Sequence, residues 1–118
     1  MSAHQPVTVV IPALGNTELL DANLPHLFAE FTSRNVADEL ILVDDTGKGE
    51  LAVWAKEGLR DKPAKLVIRE QNGGFAAALE EGIQAASHAQ IFSMNSDVRV
   101  RPGFLEPLQV ALASQPKS

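Results

Sequence analysis

The sequence predicts an α/β fold: an open, mostly parallel sheet with helices on both faces. Two observations carry this. Short apolar runs alternate with segments of helical period all along the chain, and a cluster of Asp, Asn, Ser or Gly follows most of the apolar runs directly. Strands joined through helices must run parallel, with right-handed crossovers, and ligands then meet such sheets at the carboxyl ends of the strands.

Val7 to Ile11 is β-branched and stops at Pro12, which cannot continue a central ladder, so the first strand is expected to close there. Leu20, Leu24, Leu27, Phe28 and Phe31 then recur at helical spacing, with Asn16 or Thr17 as cap and Pro25 as a kink or a delayed start. Glu39 to Val43 is a second strand that breaks off in the turn-forming Asp44-Asp45-Thr46-Gly47. Leu51 to Leu59 fits a short helix carrying Trp54, and Asp61-Lys62-Pro63 closes it before a third strand, Ala64 to Arg69. After Asn72-Gly73-Gly74, the residues Phe75, Ala78, Leu79, Ile83 and Ala86 keep a 3.6-residue period while Glu80, Glu81 and Gln84 stay polar, the clearest helix of the chain. Gln90 to Met94 is a fourth strand leading into Asn95-Ser96-Asp97, and Phe104 to Leu112 after Pro102-Gly103 is a last amphipathic helix.

Composition bounds the function. With 118 residues, one domain and one site are the default. Hydrophobic residues make up 45% and charged residues 21%, enough apolar surface for a real core, which argues against disorder. Ten basic residues face fifteen acidic ones, a net charge of −5 that argues against nucleic acid or an anionic membrane as the main partner. There is no cysteine, hence no disulfide, thiolate nucleophile or Cys-based zinc site, and cytoplasm is the default compartment. No apolar run approaches the roughly 20 residues that span a bilayer, and the start has no secretory pattern.

The polar clusters at the strand ends supply the candidate site. Asp44 and Asp45 either face the crevice, accepting hydrogen bonds from a ligand or approaching a metal, or serve only turn formation and helix capping. Gly73 and Gly74 ahead of a strong helix let backbone N–H groups approach a diphosphate, or form a plain loop. Asn72-Gly73-Gly74-Phe75 is neither the dinucleotide G-x-G-x-x-G nor a P-loop, so NAD binding and ATP hydrolysis lose support. Asn95, Ser96 and Asp97 suit a hard divalent cation bridging to phosphate, while Arg69, Arg99 and Arg101 offer compensation of phosphate charge. His4, His26 and His88 form no ligand pattern, and Trp54 reads as a core or interface anchor. No Ser-His-Asp arrangement and no paired carboxylates for glycoside hydrolysis emerge, so binding signals outnumber catalytic ones. A phosphoacceptor receiver domain is disfavoured, because the Asp pair follows the second strand and the only lysine after Asp97 is Lys117.

Val9 to Pro12, Ile41 to Asp45, Asn72 to Phe75 with Gly82 downstream, and Asn95 to Asp97 followed by Pro102-Gly103 occur in an order that resembles family 2 glycosyltransferases. The resemblance runs from about Val7 to Leu112 and implies the Rossmann-like N-terminal, nucleotide-sugar-binding half of a GT-A type fold. By it, Asp45, Pro12 and Ala13 line the nucleobase pocket with Asp44 as neighbour, and Asn72, Gly73 and Gly74 belong to the nucleotide side. Arg69, Asn95 and Ser96 then address the diphosphate or sugar. The family's Asp-x-Asp metal motif maps onto Asn95-Ser96-Asp97, with Asp97 the ligand of a divalent cation, Mn2+ or Mg2+. Asn in the first position resembles a rhamnosyltransferase-like subgroup, and the lost charge should weaken metal binding. The aromatic residue often found near the base is absent from Pro12-Ala13-Leu14-Gly15-Asn16, and the chain has no Tyr.

The resemblance further implies inverting transfer from a nucleoside-diphosphate sugar to an acceptor that the sequence does not define. The family places its acceptor half and general base downstream of the metal motif, and no residue here fills that catalytic role. The expectation is therefore a donor-binding domain over residues 1–118, truncated from a longer transferase. The rival is a non-catalytic nucleotide-binding or protein-interaction module.

Overall fold

A computed structural model of the chain describes residues 5–71 and 73–114, so Asn72 and His4 lie outside the described residues. The elements run β1 (Val7–Ala13), α1 (Thr17–Arg34), β2 (Glu39–Asp44), α2 (Leu51–Gly58), β3 (Ala64–Ile68), α3 (Phe75–Ala85), β4 (Gln90–Ser93) and α4 (Leu105–Ser114). Their order is the one expected, and the sheet is parallel at every described pairing, in the order β3-β2-β1-β4.

Period-two alternation splits the apolar residues between two faces. Val7, Val9, Ile11, Leu40 and Leu42 pack with Leu20, Leu24, Leu27, Phe28 and Phe31 of α1, and with Leu51 and Leu105. On the other face Val10, Ile41 and Val43 pack with Ala78 of α3. The first two crossovers step outward from β1 to β3, and the third returns across β1 to β4. A right-handed return needs its helix on the opposite face, which is why α3 lies there. That helix comes close: a Cβ at Gly82 would approach Val10 Cγ1 to 2.4 Å and Val43 Cγ2 to 3.0 Å.

Two expectations about proline need correcting. β1 does not stop at Pro12 but continues to Ala13, because consecutive residues address opposite neighbours. Val10 O accepts from Met94 N on the β4 side, whereas Ala13 O accepts from Asp45 N on the β2 side. Pro12 shares the β4 side, but pairing with β4 ends at Val10, so its missing donor falls where no ladder partner remains. Pro25 delays nothing either: α1 starts at Thr17 on the Asn16 cap, whose side chain accepts from Leu19 N, and runs through Pro25 to an Asn35 in the left-handed region.

Buried polar groups secure the amino ends of the strands. Arg34 pairs with Asp38 at 2.7 Å, and Asp38 accepts from Val7 N at 2.9 Å. Glu39 accepts from Thr8 Oγ1 at 2.6 Å and from Ser87 N, with Lys65 Nζ at 3.6 Å. Burial pushes the Glu39 carboxyl up, but the Thr8 and Ser87 hydrogen bonds and the Lys65 charge outweigh it and hold the group below its ordinary value. No helix among the described residues is long and apolar enough to cross a membrane.

Candidate functional site

The carboxyl end of the sheet is organised differently. β1 and β4 are adjacent although the chain steps outward from β1 through β2 to β3 before returning to β4, so a crevice opens above them at the point where strand order reverses. Two recesses occupy it. One, of about 110 Å³, is lined by Pro12, Ala13, Leu14, Asp45, Gly74 and Phe75. The other, of about 330 Å³, is lined by Pro12, Leu14, Asn16, Leu19, Asn95, Ser96 and Asp97. Pro12 and Leu14 belong to both, so the end of β1 forms the shared wall.

The two aspartates at the end of β2, its last residue Asp44 and the following Asp45, part company. Asp44 is fully buried: one oxygen accepts from Thr46 N at 3.0 Å and Thr46 Oγ1 at 2.6 Å, the other from Leu51 N at 2.9 Å. It thereby folds the turn and satisfies the first amide of α2, a side-chain cap that the local residue Glu50 does not supply. Asp45 turns the other way. Its Oδ1 accepts from Arg69 Nη1 at 2.9 Å and Gly73 N at 3.2 Å, and its Oδ2 from Gly74 N at 3.1 Å.

Asp45 thus draws the end of β3 and the start of α3 onto one carboxylate. The chain can deliver two successive amides to it because Gly74 sits at φ 88° and ψ 174°, a region that essentially only glycine enters. Arg69 is held on its other side by Glu81 Oε1 at 3.0 Å. The Glu81 hydrogen bond, and after it the hydrogen bond and charge of Asp45, overcome desolvation and raise the guanidinium above its ordinary value. A recess with the Asp45 carboxylate and the Gly74 backbone at its base, rimmed by Leu14 (67% exposed) and Phe75 (53% exposed), suits a planar polar ring.

At the second recess Asp97 is exposed and Asn95 and Ser96 stand beside it. Among the described residues no group of three or more His, Asp or Glu side chains is placed to hold a metal ion. One carboxylate with two neutral oxygens fits a hard cation only if the remaining ligands come from phosphate and water.

The structure therefore gathers Pro12, Ala13, Asp45 and Gly74 around one recess, with Arg69 and Gly73 touching it only as donors to Asp45, and Asn95, Ser96 and Asp97 around its neighbour. Asp44 supports them from inside, and Asn72 lies outside the described residues. Arg99 and Arg101 are exposed and line neither recess. The sequence reading missed Leu14, Leu19 and Phe75 as lining residues and Glu81 as the partner of Arg69. Asn16, expected as a cap, also lines the second recess.

The family model for glycosyl transferase family 2 matches residues 8–118. The chain belongs to this family. Solved structures agree on the fold. This family 2 chain superposes on residues 1–349 of S. aureus TarS with a TM-score of 0.69 at 21% identity, covering 92% of this chain and 32% of that one. The mannosyltransferase PcManGT from Pyrobaculum calidifontis, in complex with GDP-Man and Mn2+, gives a TM-score of 0.73 at 19% identity, covering 93% and 32%. The family 2 chain thus spans about a third of the length of either structure. Among curated proteins no match is found.

Proposed function

We propose that this domain is the donor half of a longer cytoplasmic glycosyltransferase, holding a nucleoside-diphosphate sugar for inverting transfer to an acceptor hydroxyl. One observation carries the reading: Asp45, ringed by Arg69 and the Gly73 and Gly74 amides, lies one residue wall away from Asn95, Ser96 and Asp97. A ligand with a planar base at one end and a diphosphate at the other matches two recesses sharing Pro12 and Leu14. That PcManGT was solved with GDP-Man and Mn2+ supports the same class of ligand.

In this reading the nucleobase enters between Leu14 and Phe75. Asp45, an acceptor only, takes a base N–H, while Arg69 and the glycine amides keep its carboxylate oriented. Asp44 acts one step back by fixing the turn. Asn95 and Ser96 direct polar atoms at the diphosphate or sugar, and Asp97 is the residue that would hold a divalent cation against the phosphates. When bound, the cation supplies positive charge that eases departure of the nucleoside diphosphate. Asn95 where the family has Asp, with the Gly73-Gly74-Phe75 helix start, supports a rhamnosyltransferase-like relationship and a weak cation site.

A thermal-shift panel of UDP, dTDP, GDP and CDP, each with and without Mn2+ or Mg2+, tests the reading. A ligand at 100 times its Kd stabilises by roughly 2.7 kcal/mol, a midpoint rise of several degrees. One nucleotide should produce this shift, and metal should enlarge it. No shift with any of them would favour a non-catalytic interaction module.

A further inference from the structure

Helix α1 carries a polar residue that its packing does not explain. Asn23 lies on the core-facing stripe between Leu20 and Leu24 and is only 8% exposed. Asn is a poor helix former, and its amide is costly to bury without partners. The partner is remote in sequence: Asn23 Nδ2 donates to the backbone oxygen of Ser96 at 3.0 Å, 73 residues away.

That oxygen belongs to the Ser96–Asp97 peptide. Val98 N donates to Asn95 O at 3.2 Å, so Asn95 to Val98 form a turn whose central peptide is this one. The two commonest forms of such a turn differ by a flip of the central peptide, and the flipped form needs a positive φ at the third residue, here Asp97. Only Asn35 and Asp61 have positive φ among the described non-glycine residues, so the turn is unflipped. Asp tolerates the left-handed region better than most residues, so backbone preference alone does not lock the turn. Among the described residues no side-chain hydrogen bond or ion pair restrains Asp97 itself.

We propose that Asn23 is a positioning residue for the diphosphate side of the site. By holding the Ser96 carbonyl it fixes the central peptide of the turn, and with it the direction in which Asp97 leaves the backbone. The inference rests on the donor-binding reading above. Two helical turns further along the same face, Glu30 grips the other end of the loop, accepting from Gly103 N at 2.7 Å and Leu105 N at 3.4 Å. That contact is well removed from Asp97 and serves the start of α4. It provides a control that loosens the same loop without touching the turn.

The experiment titrates the parent chain, N23L and E30Q with whichever of UDP, dTDP, GDP or CDP binds the parent most tightly, with and without Mn2+. N23L removes the donor while keeping an apolar side chain of similar size. It should weaken Mn2+-dependent affinity about fivefold, as expected for one lost hydrogen bond, and leave Mn2+-free affinity within about twofold. E30Q should lower the melting temperature and leave the ratio of the two affinities unchanged. If N23L does not fold, N23S is read in the same way. An unchanged ratio in the Asn23 variant, or an equal change in E30Q, overturns the assignment. Failure of the parent itself to bind any nucleotide would instead remove the donor-binding reading, and this inference with it.

Discussion

Asp45 and Asp97 make opposite predictions, because one is built into the protein and the other is not. Asp45→Ala removes one buried carboxylate that accepts from Arg69 Nη1 and from the Gly73 and Gly74 amides, so it should cost about 1–3 kcal/mol of stability. In the proposed site it should also weaken nucleotide binding about tenfold or more with or without metal, measured by calorimetric titration. Asp97→Ala removes an exposed side chain and should change stability by less than about 0.5 kcal/mol, while abolishing the metal-dependent part of the affinity. Glu39 gives a prediction far from the cleft. Its carboxyl is held below the ordinary value in the folded chain, so the unfolded chain takes up the proton first as pH falls. The contribution is therefore fully present above about pH 4.5 and is lost as pH falls through the folded value. Denaturant unfolding of Glu39→Gln should show lower stability near neutral pH and a shallower decline between about pH 5 and pH 3. Residue pattern alone left open which of Asp44 and Asp45 faces the crevice, and only the family resemblance singled out Asp45. That division depends on partners at Leu51, Arg69, Gly73 and Gly74, which only the folded chain brings within reach.

The elements were largely legible because period and punctuation agree. β-branched runs give the strands, helical spacing gives the helices, and Asn, Asp and Gly mark their ends. Pro12 is misread because a missing N–H matters only where a ladder partner waits for it, and strand pairing is a tertiary fact. Asn23 was invisible for a similar reason, since one polar residue in an apolar stripe reads as noise until its acceptor at Ser96 is known. Gly82 is the converse, a glycine within a helix whose purpose is contact. With Val10 and Val43 already in place, Gly82→Ala should destabilise by about 1–3 kcal/mol through overpacking, even though Ala is the better helix former. Chemical denaturation reads this as a lower midpoint without a change in slope.

At the scale of the whole molecule, strand order is what makes a site. Sequence pattern alone gave alternating strands and helices but not the order β3-β2-β1-β4, which sets the crevice between the ends of β1 and β4. The buried polar locks and the candidate site lie at opposite ends of the sheet. The Arg34–Asp38 and Thr8–Glu39 pairs lock the amino ends, leaving Asp45, Gly74 and Asp97 at the carboxyl ends. The central claim is that one nucleoside diphosphate bridges both recesses. Backbone NMR of the 15N-labelled chain, titrated with UDP, dTDP, GDP or CDP in the presence of Mg2+, tests it most directly. The account predicts that one nucleotide moves the amides of Ala13, Leu14, Asp45, Gly73, Gly74, Ser96 and Asp97 together, with one common affinity. Shifts confined to the Thr8, Glu39 and Ser87 end, or none with any nucleotide, would contradict it.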